Sequence, residues 1–244
     1  MLDAAAKALV QMLTPTLRGV LMKSVALALA LIVIAGIVLQ RVLSSLAENG
    51  ALWAEHSAGF APHAVWSAFA WILSIMAGLG IITGALFLMP AMTAFVGSFF
   101  VDETADAVER EYYPAQPPGR ALPFLRGLIE GVKIAFVSLL VYFFALPFVL
   151  FAGFGIIVLF LANSYLLGRE YFELAAMRFR PPYEAKAMRK ANGTYVFLCG
   201  MVIAVFVSIP VINLATPVFA MAFMVHIHKR LSAKVEFIGA AWRR

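Results

Sequence analysis

Charge is the first thing this sequence lacks. Asp, Glu, Lys and Arg make up 13% of its 244 residues, against about 25% in an ordinary soluble domain. With 63% hydrophobic residues and a mean hydropathy of +0.92, this excludes a soluble globular protein and indicates an integral membrane protein. Cysteine is nearly absent too. The single Cys199 lies inside an apolar run, so no internal disulfide is possible and a small core residue is expected. Phosphate loops, dinucleotide motifs and metal-ligand clusters are also missing. His226 and His228 point to different sides of a helix, and His56 and His63 are distant in sequence. Ser208, Thr194 and Cys199 have no charged base nearby in the chain. No catalytic arrangement survives, so the chain is expected to be neither an enzyme nor a cofactor binder. The net charge of +6 does not imply a nucleic-acid partner, because the basic residues flank apolar segments instead of forming one patch.

What is present are long uncharged runs. Residues 191–225 form 35 consecutive positions without Asp, Glu, Lys or Arg, whereas about 20 apolar residues span a bilayer as a helix. Pro210, Asn213 and Pro217 sit in the middle of this run. Proline removes a donor and clashes one turn back, so a helix breaks there. Lipid cannot satisfy the N–H and C=O groups so freed, and the turn must face protein or water. The expectation is a helix, a tight turn and a second helix. Asn213 either satisfies the turn locally or lines a polar path. Residues 134–168 form a second 35-residue run, broken at Pro147. Paired interrupted segments of this kind can mark transport sites, although two ordinary kinked helices would share the pattern.

The remaining segments follow in order. Leu9, Val10, Leu13, Leu17, Val20 and Leu21 recur at helical spacing, interrupted by Pro15. Residues 1–23 are therefore expected to form an amphipathic helix at the membrane interface, with a new helix starting at Thr16 or Leu17. Residues 24–40 give a first spanning helix that can continue to Ala47; no small-residue cleavage site follows, so it is read as retained rather than as a signal peptide. Residues 41–63 read as a loop, with turn signals at Asn49-Gly50 and Gly59. Residues 64–113 read as a second spanning helix with a charged extension beyond residue 101. Pro114, Pro117, Pro118 and Gly119 stop it. Asp102, Glu103, Asp106, Glu109, Arg110 and Glu111 look like a solvated face, while Arg169, Glu170 and Glu173 are expected to pair with one another along one helix, Arg169 and Glu173 at i, i+4. A basic tail occupies 226–244.

Counting Lys and Arg fixes the expected topology. There are 3 before residue 24, 1 in 41–63, 4 in 102–133, 6 in 169–190 and 5 after 225. The positive-inside rule leaves only 41–63 outside and both termini in the cytoplasm. Each 35-residue run must then enter and return on the same side. Two arms of about 16 residues reach only about 24 Å each, short of a hydrocarbon core of about 30 Å. Half-inserted hairpins at 134–168 and 191–225 are the expectation.

One further feature lies at Pro15-Thr16-Leu17-Arg18. A helix start exposes unpaired N–H groups and favours an oxyanion, and Arg18 adds a guanidinium fork. Arg18 reads equally as an arginine that only sets topology. This Pro-x-Leu-Arg start, the stretch Gly168-Arg169-Glu170-Tyr171-Phe172-Glu173 with Arg178, then Arg189, Ile209-Pro210-Val211-Ile212-Asn213 with Pro217, and the closing Phe223-Met224-Val225-His226 together resemble the CysZ-type sulfate permeases of bacteria. These belong to the broader etoposide-induced protein 2.4 domain family.

The resemblance covers essentially the whole chain. It implies an all-α membrane fold with two long transmembrane helices and two half-inserted hairpins, assembling as homo-oligomers in the bacterial inner membrane. It also implies transport of sulfate or a similar oxyanion for sulfur assimilation and cysteine biosynthesis. In those permeases a Gly-Leu-Arg turn is similar to an anion cradle; the matching positions here are Thr16, Leu17 and Arg18, with threonine in place of glycine. Some members of the broader family look like non-transporting scaffolds or assembly factors, and that is the alternative.

Overall fold

The computed structural model describes residues 1–57, 71, 99–121, 123–145, 147–148 and 154–241. Their regular structure is all helical, joined by short irregular segments, with no strand among the described residues. The chain divides into two compact units, Met1–Ser24 with Gly97–Arg244, and Val25–Val96.

In the first unit, α1 (Leu2–Met12) ends at a break over 13–14, and α2 (Pro15–Ser57) begins. Pro15 takes the first position of α2, where a missing N–H costs nothing and φ is already set. The buried stripe of α1 is Ala4, Ala5, Ala8, Gln11 and Met12, packed against the last long helix. Leu9, Val10 and Leu13 face outward instead. Small side chains let two helices approach closely, so the alanine face meets protein and the bulky face stays free. Helix α3 (99–112) stops before Pro114, as its sequence requires. Then follow α4 (Phe124–Ala145), α5 (Phe154–Met177), α6 (Pro182–Ala191), α7 (Gly193–Val207), α8 (Pro210–Asn213) and α9 (Thr216–Ala241).

Helix α9 is central, packing against α5, α1 and α7. Residues 218–225 of α9 are no more than 1% exposed. They are apolar on every side, and a helix built that way belongs inside. Its Phe219 stacks on Phe206 of α7 at 4.3 Å and on Phe223 at 5.7 Å, so the chain folds back across the 208–215 break. Pro210 opens α8 and Pro217 lies in the first turn of α9. Both prolines therefore start helices instead of kinking one.

In the second unit, the described part is α2 from Val25 to Ser57. The stretch Pro15–Ser45, with a mean hydropathy of 2.5, is the one single helix among the described residues long and apolar enough to cross a membrane. Val33, Ile34, Ile37 and Val38 on it are all more than half exposed, a surface suited to lipid. The helix does not end near Ala47, and the loop expected from residue 41 is helical to Ser57. Asn49 accounts for this locally: its Nδ2 donates to Ser45 O at 2.8 Å, spending the side chain on the helix rather than on a turn. The second spanning helix expected over 64–113 lies outside the described residues up to 98, apart from Trp71, which is helical. Residues 58–63 and 149–153 also lie outside them. Pro147, at the expected break of the first run, is exposed in a short 3-10 turn between α4 and α5.

Candidate anion-binding site

The first candidate is the start of α2. Leu17 is fully buried in the core, while Thr16 and Arg18 are exposed on the first turn. The Arg18 N–H bonds Thr14 O at 2.8 Å; the amides of Thr16 and Leu17 precede any helical partner. No ion pair or hydrogen bond of the Arg18 side chain occurs among the described residues.

The charged face of α3 is not simply solvated, contrary to expectation. Arg178, just past α5, is 6% exposed and pairs with Asp102, Asp106 and Glu109. Glu109 is itself buried, at 3.0 Å from Arg178 Nε, and its Oε2 accepts the Gly119 N–H at 2.7 Å. Burial pulls the Arg178 guanidinium down, and the three carboxylates more than offset this. Asp102, Asp106 and Glu109 recur at helical spacing on one stripe, so a single arginine meets all three. Arg178 is thus consumed in a structural cluster and offers nothing to a ligand.

A second arginine cluster is different. Arg169 Nε donates to Glu173 Oε1 at 3.4 Å, the expected i, i+4 pair. Arg189, on the last turn of α6, brings its Nε to 2.7 Å from the same oxygen but off the hydrogen-bond line. Arg169, Arg189 and Glu173 are all largely buried. Two guanidiniums meet one oxygen of Glu173, while the carboxyl of Glu170, largely buried and in electrostatic contact with Arg169, is pushed up towards its neutral form by burial. Arg169 Nη1 and Glu173 Oε2 are buried without a hydrogen-bond partner.

Arg169 and Arg189 line a cavity of about 310 Å³ together with Tyr165, Gly193, Thr194 and Phe197. The cavity forms because α6 and α7 meet at 92°, with the bend at Asn192. Asn192 spends its side chain backwards, Nδ2 donating to Met188 O at 2.9 Å on α6. No side chain caps α7. Among the described residues, the amides of Gly193 and Thr194 make no backbone bond, while Val196 N–H already bonds Asn192 O at 2.9 Å.

The expected tip residues lie at the other end of α7. Asn213 is 5% exposed and its Oδ1 accepts from Thr216 Oγ1 at 3.4 Å. A 15-residue helix is about 22 Å long, so Pro210, Asn213 and Pro217 are not part of the cavity. Sequence reasoning paired Arg169 with Glu173 but gave Arg189 no role. The signal was the Asn192-Gly193 junction directly after a basic turn, which carries a helix stop and an uncapped start.

An all-helical architecture among the described residues, with one strongly apolar helix, is consistent with a helical membrane protein. The chain belongs to the family described as Sulfate transporter CysZ/Etoposide-induced protein 2.4, which matches residues 4–217. No curated protein matches the chain.

Proposed function

We propose that the chain is an inner-membrane channel or permease for sulfate or a similar oxyanion, supplying sulfur assimilation. It works as a homo-oligomer in a bacterial plasma membrane with both termini cytoplasmic. The observation that carries this reading is the family match over 4–217. The open first turn of α2 supports the choice of substrate. Thr16 and Leu17 offer amides there, the Arg18 guanidinium fork has no partner among the described residues, and a helix start favours negative charge. On this reading the two interrupted runs are half-inserted hairpins, with Pro147 near one tip and Pro210, Asn213 and Pro217 at the other. Asn213 then serves the buried turn.

The test is uptake of radiolabelled sulfate into vesicles reconstituted with the purified chain. Uptake above empty vesicles is expected, lowered in Arg18→Ala by roughly ten- to a hundredfold, the worth of a charge-assisted bond, and unchanged in Lys7→Ala. Absence of sulfate flux from well-folded protein would favour the scaffold alternative.

A further inference from the structure

Three features of the Arg169 cavity point the same way. Arg169 is 9% exposed and holds a guanidinium N–H group with no partner, and buried donors of that kind are ordinarily satisfied. Arg189 faces the same space with Glu173 Oε1 as its only ion-pair partner among the described residues. Arginine carries five N–H donors, so both side chains keep donors to spare after serving Glu173. Independently, the first turn of α7 opens on the cavity without a cap. The helix dipole and the unpaired amides of Gly193 and Thr194 add to the positive field.

Glu173 sets the geometry of this arrangement. Fully buried on α5, it holds Arg169 from its own helix and Arg189 from α6 with one oxygen, so the two guanidiniums are fixed before any ligand arrives. The space left beside them is open at Gly193, where an added Cβ would meet nothing within 4 Å. A group with several acceptor oxygens, carrying more than one negative charge, fits two guanidiniums and a helix start. A carboxylate or halide would leave donors unused.

We propose that this cavity between α5, α6 and α7 is a binding site for a tetrahedral oxyanion, separate from the first turn of α2. The ligand is a free dianion such as sulfate, or the phosphoryl headgroup of an anionic lipid, whose chain would lie along Tyr165 and Phe197. Both sources present the same oxygens to Arg169, Arg189 and the α7 amides.

The experiment reads binding, not flux, so it stands whether or not the chain transports. The full chain carrying Arg18→Ala, which silences the α2 turn, is purified in detergent, stripped of lipid and dialysed against radiolabelled sulfate. One sulfate per chain is expected. Gly193→Asp places a carboxylate at the first position of α7, where acid favours a helix and takes the place of the ligand. Sulfate affinity should fall at least about tenfold, with the melting temperature unchanged or raised. Arg189→Gln should weaken binding similarly. Displacement of sulfate by short-chain phosphatidylglycerol assigns the site to a headgroup, and failure to displace assigns it to the free anion. If the Arg18→Ala chain binds neither probe, or binds sulfate equally well with Gly193→Asp, the proposal is overturned. It also falls if Gly193→Asp lowers the melting temperature, since the α7 start would then not be uncapped.

Discussion

His226 shows how one residue ties distant helices together. It is 4% exposed, with Nδ1 at 2.8 Å from the Tyr113 hydroxyl and Nε2 at 3.1 Å from Gln11 Oε1, and it joins α1 to α9. Burial pushes its pKa down to about 4; Lys7 and Arg230 act in the same direction and Asp3 opposes. His228, buried beside Phe179, is held down at about 3 by burial, Arg180 and Lys229. Both are neutral in the fold but take up a proton near pH 6.5 when unfolded. Their contribution is therefore fully present above pH 6.5 and is lost as pH falls towards 4. Each costs up to about 1.4 kcal/mol per pH unit across that window. Thermal unfolding in detergent between pH 6.5 and 5, above most carboxylate titration, should show the melting temperature falling. The His226→Gln, His228→Gln double variant should be markedly flatter, and an equal slope in both proteins would sink this account. Neither histidine was legible in this role, because the residues around His226 come from α1 and from the end of α3. The same holds for Arg178, whose carboxylate partners lie 69 to 76 residues away. Local spacing reads Asp102, Asp106 and Glu109 as a face, and only the fold says what covers it. Arg169–Glu173 was legible because both ends lie on one helix, whereas Arg189 depends on the bend at Asn192.

At the scale of elements, the cavity depends on how closely α5 and α7 approach. A Cβ on Gly200 would sit 1.9 Å from Ser164 O, and one on Gly168 would sit 2.6 Å from Val196 O. Both obstacles are backbone, so no side chain can turn aside. Small residues at a helix crossing are how helices pack where the hydrophobic effect does not press them together. Gly200→Ala should force α5 and α7 apart and cost about 1–3 kcal/mol or more, read as a lowered melting temperature. Gly36→Ala, with open space around it, should leave that temperature unchanged or slightly higher. Equal behaviour of the two variants would mean that the crossing does not hold the fold. The elements themselves were partly legible. Proline marks the start of α2 at Pro15 and the break before α8 at Pro210, because its chemistry permits few other positions. The reach of α2 to Ser57 was not legible. Asn49-Gly50 reads as a turn from sequence, and the bond from Asn49 to Ser45 O keeps it helical.

At the scale of the whole molecule, the proposed arrangement across the membrane rests on charge. Of the 19 Lys and Arg residues, 18 fall in the four segments expected inside and one, Arg41, in the segment expected outside. On the proposed topology one elementary rule orients α2, with its Arg18 and Lys23 end towards the cytoplasm and its Asn49 end towards the periplasm. The same topology keeps the basic segment between the two interrupted runs inside and has each run turn back. The break between α7 and α9 supplies such a turn, with Phe206 and Phe219 stacked across it. Asn213, held against Thr216, keeps a polar group of that turn away from lipid, where it would cost several kcal/mol unpaired. Single cysteines placed in a Cys199→Ala chain test this. Asn49→Cys, exposed on α2, should react with an impermeant thiol reagent added to intact cells. Tyr183→Cys, at 71% exposure on α6, should react only after the membrane is opened. Labelling of residue 183 from outside would mean that one of the 35-residue runs crosses the bilayer outright, and the hairpin reading would then be lost. Replacing Pro210 and Pro217 with alanine together removes the two residues that start new helices at the break. If the turn keeps the last helix inside, that double variant should carry part of the 226–244 tail to the periplasm, where a cysteine at Ser232 would become reactive from outside.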